Sequence, residues 1–195
     1  MFAVRIHGRG GQGVVTAAEM LSLAAFDEGR HAQAFPSFGS ERTGAPVVSF
    51  CRIDDKPIRT REPISRPDAV IVQDPTLLSD PSVASGVDAG TWLLINTTRT
   101  ADELGLGDAF AVVPPDRVVS VPAWRIAREH LGRPLPNAVL LGAFAAMTGE
   151  LHIESVEGAI RTTFRGEVAA ANCAAARAAY DAVRTRREPV GATPD

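Results

Sequence analysis

The chain has 195 residues, 45% of them apolar and 22% charged, with a formal net charge of −3. That is enough to bury the core of one α/β domain, and the balance is ordinary for a globular chain. The weak negative charge gives no electrostatic case for nucleic acid or an anionic membrane as partner. Arginine supplies nearly all the positive charge, Lys56 being the only lysine. Cys51 and Cys173 are the only cysteines and lie far apart. They fall short of the roughly four thiolates that an iron–sulfur cluster asks for, and they make no disulfide framework. With no signal-peptide layout at Met1–Arg5 and no apolar run near the roughly 20 residues of a bilayer span, a cytoplasmic location is expected.

The first predicted element is a strand, Phe2–Ile6, which runs into four glycines, Gly8, Gly10, Gly11 and Gly13. A helix from Val14 to about Glu28 follows, with Val15, Ala18, Leu21 and Ala25 at helical spacing and Gly29 as the stop. His31–Phe35 reads as a strand, and Pro36–Pro46 as a polar loop with two prolines and two glycines. Val47–Ile53 is a strand, Asp54–Pro57 a turn, and Ile58–Arg61 is expected as its hairpin partner. Ala69–Val72 and Thr91–Ile95 read as strands buried on both faces, with a helix over Thr76–Ala84 between them. Phe110–Val113 and Val118–Val121 are the last predicted strands. Helices are then expected at Ala123–Leu131, Asn137–Met147, Glu154–Phe164 and Glu167–Arg187. The sum is a single α/β domain over residues 1–187, a mostly parallel Rossmann-like sheet flanked by helices, with a β-hairpin extension and a helical C-terminal part. Residues 188–195 are rich in Pro, Gly and Thr and are expected to form a flexible tail.

Strand, glycine turn, helix is the opening of a nucleotide-binding βαβ unit, and Gly8, Gly10 and Gly13 satisfy G-x-G-x-x-G. Such a turn aims backbone N–H groups and the positive end of a helix dipole at an anion. The pattern alone is weak, because a dinucleotide site would place an acid at the end of the second strand, where this chain has Pro36 and Ser37. Glycines that merely close a tight turn would look the same. The loop S-F-G-S-E-R-T-G-A-P at 37–46 should sit beside the turn, where Arg42 would be a phosphate clamp or would pair with Glu41. Asn96 and Asn137 stand at element ends, as ligand-facing residues or as caps. His7, His31, His130 and His152 have no acidic or hydroxyl partner at a telling spacing. No catalytic residue and no metal ligand is assigned.

Two long motifs carry more: G-R-G-G-Q-G-V-V-T-A-A-E-M-L at 8–21, and A-F-P-S-F-G-S-E-R-T-G-A-P-V at 34–47. Together they resemble the gamma subunit of 2-oxoacid:acceptor oxidoreductases, of the pyruvate and ketoisovalerate ferredoxin or flavodoxin type. Arg66-Pro67-Asp68, Asn96, Pro136-Asn137 and Leu141-Gly142-Ala143 agree, so the resemblance covers about residues 3 to 180. It implies a subunit of a complex that oxidatively decarboxylates a 2-oxoacid to an acyl-CoA. The thiamine diphosphate with its magnesium, and the iron–sulfur clusters, would be held by partner subunits, with coenzyme A as co-substrate and ferredoxin, flavodoxin or another acceptor taking the electrons. This chain would hold none of these cofactors alone, and it lacks a G-D-G motif with a downstream Asn for magnesium and diphosphate. Carried over by motif, Gly8, Gly10, Gly11, Gln12 and Gly13 would face the coenzyme A side, with Ser37, Phe38, Gly39, Glu41 and Arg42 as the adjoining loop. Ser40 departs from a common proline, and Thr43 from a frequent basic residue. Two other readings stand beside this one. One is a free-standing nucleotide- or dinucleotide-binding enzyme. The other is the small subunit of an indolepyruvate-type oxidoreductase, which would normally depart from the 37–46 loop.

Overall fold

The computed structural model describes residues 1–37 and 43–187. The loop positions Phe38, Gly39, Ser40, Glu41 and Arg42, and the expected tail, lie outside the described residues. Six strands form one sheet: β1 (Phe2–Arg9), β2 (His31–Pro36), β3 (Pro46–Asp54), β4 (Ala69–Val72), β5 (Trp92–Asn96) and β6 (Val118–Val121). Their spatial order is β2-β3-β1-β4-β5-β6. β1, β4, β5 and β6 run parallel, while β3 is antiparallel to both β1 and β2. The sheet is mixed, with an antiparallel hairpin at one edge.

That hairpin differs from the expected one. β3 pairs with β2, not with Ile58–Arg61, which forms no strand. Two buried arginines on the sheet reach the chain that follows that segment. Arg52 donates to the carbonyl of Glu62, and Arg5 donates to the carbonyls of Ile64, Val83 and Ser85. These bonds hold the chain just past that segment to the sheet by side chains, and Ile64 packs on Ala3 and Phe50 there. Phe110–Val113 is not a strand either. Asp108–Phe110 is a short 3₁₀ turn, and Phe110 and Val113 drop onto Val70, Val72, Leu93 and Ile95 as a lid. The single helix expected over Thr76–Ala84 divides at Asp80 into a 3₁₀ turn, Pro75–Ser79, and a short helix α2, Pro81–Ala84, because the Asp80 side chain caps Ser82.

The remaining helices are α1 (Val14–Asp27), α3 (Ala101–Leu104), α4 (Ala123–Leu131), α5 (Asn137–Thr148), α6 (Ile153–Thr163) and α7 (Gly166–Arg187). The main core lies on one face of the sheet, where Val4, Ile6, Cys51, Ile71 and Leu94 meet α1, α5, α6 and α7. α5 is buried all round, as its Ala- and Leu-rich sequence requires, and packs most extensively against α7. The other face carries a thinner cover of 3₁₀ turns, α2 and irregular chain. Among the described residues, no helix is long and apolar enough to cross a membrane.

Candidate functional site

β1 delivers its backbone straight into the glycine turn. Gly8 is still in the strand, opposite Val47, and a Cβ there would lie 2.6 Å from Val14 Cγ2 and 3.2 Å from Gln73 Cβ. It is glycine so that α1 and the end of β4 can close on β1. Gly11 and Gly13 take φ of +94° and +72°, left-handed values that favour glycine. Gly13 is the N-cap of α1, and no side chain caps the helix. The Gly10 N–H donates to Ala45 O at 2.9 Å and the Gly44 N–H to Gly10 O at 3.1 Å, and Gly10 bridges Thr43. The described end of the 37–46 loop is therefore laid directly against the turn. Ser37, exposed at its other end, donates its N–H to Val48 O.

The strand order reverses at this point. The chain leaves β1 through α1 on one face of the sheet and leaves β4 through Pro75–Ala84 on the other. The crevice outside the carboxyl ends of β1 and β4 is where open α/β sheets place their ligands.

Gln12 is committed within the turn. Its Oε1 accepts from the Arg9 N–H at 2.8 Å, and its Nε2 donates to Asp74 Oδ2 at 3.2 Å. Arg9, which spacing gave no reason to single out, is the hub of the same network. It reaches Asp74 Oδ2 at 3.0 Å, Thr76 Oγ1 at 2.8 Å and Gly44 O at 3.1 Å. Partial burial pushes the Asp74 carboxyl up, but hydrogen bonds from Thr76 and Gln12 and the Arg9 charge outweigh it, and the net shift is downward. Asp74 is thus an ionised brace between β4 and the turn. Its place before Pro75 reads as a helix cap in the sequence, and it does cap Pro75–Ser79 through the Thr76 N–H; its tie to the turn carries no such signal.

Asn96 also serves the scaffold. Its Nδ2 donates to Gln73 O at 2.8 Å and its Oδ1 accepts from Trp124 N–H at 3.0 Å, which ties β5 to β4 and caps α4 from a distance. Asn137 behaves differently. It opens α5, is only 6% exposed, and presses so closely on the turn that a Cβ on Gly13 would lie 2.5 Å from its Nδ2. Its amide has no hydrogen-bond partner among the described residues, and it lines a groove of about 480 Å³ with Gly11, Gly13 and Arg133. A second recess of about 320 Å³, lined by Arg9, Gly10 and Val47, lies on the loop side of the turn.

His7 sits buried on β1 just before the turn. Burial first, and the neighbouring Arg5 charge second, push its pKa down to about 3 against the opposing pull of Asp80. It is neutral at physiological pH and makes no useful proton carrier there. Among the described residues, no group of three or more His, Cys, Asp or Glu forms a metal set. The site can position an anion against backbone N–H groups and an amide.

The family model for pyruvate ferredoxin/flavodoxin oxidoreductase matches residues 3–182. The chain is 52% identical over 161 residues to the pyruvate synthase subunit PorC of Methanosarcina barkeri, covering 83% of this chain and 85% of that one. It is 49% identical over 181 residues to the pyruvate/ketoisovalerate oxidoreductases common subunit gamma of Thermococcus litoralis, covering 93% and 96%. The crystal structure of pyruvate oxidoreductase subunit PORC from Thermotoga maritima superposes with a TM-score of 0.78 at 36% identity, over 92% of this chain and 95% of that one. The chain belongs to the pyruvate ferredoxin/flavodoxin oxidoreductase family, as a gamma-type subunit.

Proposed function

We propose that this chain works as the gamma subunit of a multi-subunit 2-oxoacid:acceptor oxidoreductase and shapes the coenzyme A side of an active site whose reactive groups its partners hold. The observation that carries this reading is the uncapped start of α1, opened by Gly11 and Gly13 at the strand-order reversal and laid against the 43–46 end of the loop. That arrangement favours the phosphates of a ligand arriving from outside the sheet. The chain's own residues do not fit the complex's cofactors. Cys51 and Cys173 are both buried and far apart in sequence, which is no set for a cluster. Thiamine diphosphate, magnesium and clusters therefore belong to partner subunits in this reading, and no chemical step is assigned to this chain.

The dinucleotide alternative loses its footing in the sheet. A ribose-binding acid needs a strand parallel to β1 at its side and ending beside the turn. Here the neighbour on that side is the antiparallel β3, and β2 at the outer edge ends in Pro36 and Ser37.

The test is made in the assembled complex. Arg42→Ala should raise KM for coenzyme A by about tenfold, the worth of one charge-assisted contact, and leave KM for the 2-oxoacid nearly unchanged. An unaltered coenzyme A dependence would remove the loop from that role. Native mass spectrometry of the complex isolated through this chain, with an activity screen across 2-oxoacids, tests membership of the assembly itself.

A further inference from the structure

Between β3 and β4, residues 55–68 cross the thinly covered face of the sheet without forming a helix or a strand. This strap is nevertheless held at several points. Ile64 packs on Ala3 and Phe50, Arg52 donates to Glu62 O, Arg5 donates to Ile64 O, and the Asp68 carboxylate accepts the Ala3 N–H. From the other side Gly86 closes on it so tightly that a Cβ there would lie 1.7 Å from Ser65 O. Arg5 and Arg52 are 4% and 5% exposed, and burying a guanidinium is costly. A strap that served only to cover the sheet could be held by apolar side chains. Along its first part Ile58 and Thr60 are half-buried while Arg59 and Arg61 are exposed, the alternation of an extended chain, so the two arginines share the outer side. Lys56 and Arg66 are exposed as well, and none of these cations has an ion-pair partner among the described residues. Arg9, Arg30, Arg161 and Arg177, by contrast, are each paired with a carboxylate. The acids beside the strap are committed elsewhere, Asp54 to the amino terminus and Asp55 to Arg30, which leaves Glu62 against the cations.

We propose that this strap is a docking surface for another subunit of the same complex, which meets Lys56, Arg59, Arg61 and Arg66 with an acidic face. Charge complementarity names the occupant, because unpaired cations gathered on one strap of a chain with net charge −3 are a local reversal of sign. The strap is fixed before a partner arrives, so docking costs little ordering of its backbone. It lies beside Ala3, at the opposite end of β1 from the glycine turn. The strap is therefore a second contact with the assembly, separate from the ligand-facing end of the sheet, and it stands or falls independently of the coenzyme A reading.

Lys56 is the only lysine of the chain and is a built-in reporter for the test. The complex isolated through this chain is treated with a carbodiimide, which joins an ammonium to a carboxylate only where the two already touch. Peptide mapping should find Lys56 joined to an Asp or Glu of another subunit, and Lys56→Arg should remove that product while the complex still assembles. Arg59→Glu combined with Arg61→Glu should weaken association of this chain with the rest by about tenfold, read by native mass spectrometry on dilution. Added NaCl should weaken wild-type association and affect the double variant less. Arg128→Glu combined with Arg165→Glu reverses the same charge at exposed positions away from the strap and should associate as wild type does. Both double variants should melt with the wild-type chain, and should the strap variant fail to fold, the Lys56 cross-link decides. Absence of an interchain product at Lys56, equal weakening by both double variants, or weakening by neither overturns the proposal. So does a Lys56 product formed only with a soluble electron carrier, or a strap that binds RNA or anionic vesicles while assembly ignores its charge.

Discussion

His7 lies one residue before the glycine turn, where a histidine invites a catalytic role, yet its surroundings hold it neutral. The sheet buries it and Arg5 faces it, and its pKa falls from 6.5 to about 3. That displacement is a statement about stability. Near pH 7 the imidazole is largely neutral in both the folded and the unfolded chain. Below 6.5 the unfolded chain takes up a proton that the folded chain refuses until about pH 3, so stability should fall through that window as pH drops. Asp74 acts in the same direction but lower: its pKa is depressed, so its contribution is present above the ordinary carboxylate range and is lost as pH falls through it. Urea unfolding of the full chain between pH 7 and pH 4 should therefore show declining stability, and His7→Gln should flatten the slope above pH 5. An equally steep slope in the variant would assign the acid sensitivity to other groups.

At the scale of elements, glycine decides two contacts in opposite ways. Gly142 is in the middle of α5, and a Cβ there would lie 1.9 Å from Ala176 O on α7. The closeness of the two helices depends on that missing carbon, so Gly142→Ala should destabilise by about 3 kcal/mol, the cost of forcing a packed core apart. Gly158 is in the middle of α6, where the nearest atom to an added Cβ is Asp27 Oδ2 at 3.7 Å. Gly158→Ala meets no obstacle and should stabilise by about 0.5–1 kcal/mol through helix propensity. Chemical denaturation of the two variants should move the midpoint in opposite directions. The sequence separates the two glycines poorly, since both stand inside helical patterns, and only the approach of α7 distinguishes them. β1, the turn and α1 are adjacent in the chain and their signals are local, so they were legible. The pairing of β3 with β2 instead of Ile58–Arg61 was not, because β2 and β3 are joined by a loop too long to carry a hairpin-turn signal, whereas Asp54–Pro57 looks like such a turn. Phe110–Val113 has the composition of a buried strand; being buried as a lid satisfies the same apolar pattern. At the site, the turn and Asn137 could be named from sequence and Asp74 as a cap before Pro75, but Arg9 carries no spacing signal and meets Asp74 only through the strand order.

The molecule as a whole has one face of its sheet under packed helices and the other under a thin cover, and its two thiols are placed accordingly. Cys51 is sealed in the main core, and burial pushes its pKa up to about 12. Cys173, on α7, is pushed up chiefly by burial and also by Glu157, with Arg161 and Arg177 opposing. A thiol held protonated is a poor metal ligand and a slow nucleophile, because both tasks need the thiolate. The proposed division of labour, with the redox groups on partner subunits, is tested on these two thiols. The native chain at neutral pH should react slowly with a thiol-specific reagent and should expose two reactive thiols once denatured. Incubated anaerobically with iron and sulfide, it should acquire no cluster absorbance, and with pyruvate, coenzyme A and an electron acceptor it should show no turnover. Addition of the thiamine- and cluster-bearing subunits should restore activity with the chain's thiols still protected. Activity of the chain alone, or a cluster that forms on it and disappears in a Cys51→Ser variant, would place redox chemistry inside this fold and reverse the division of labour argued from its two buried cysteines.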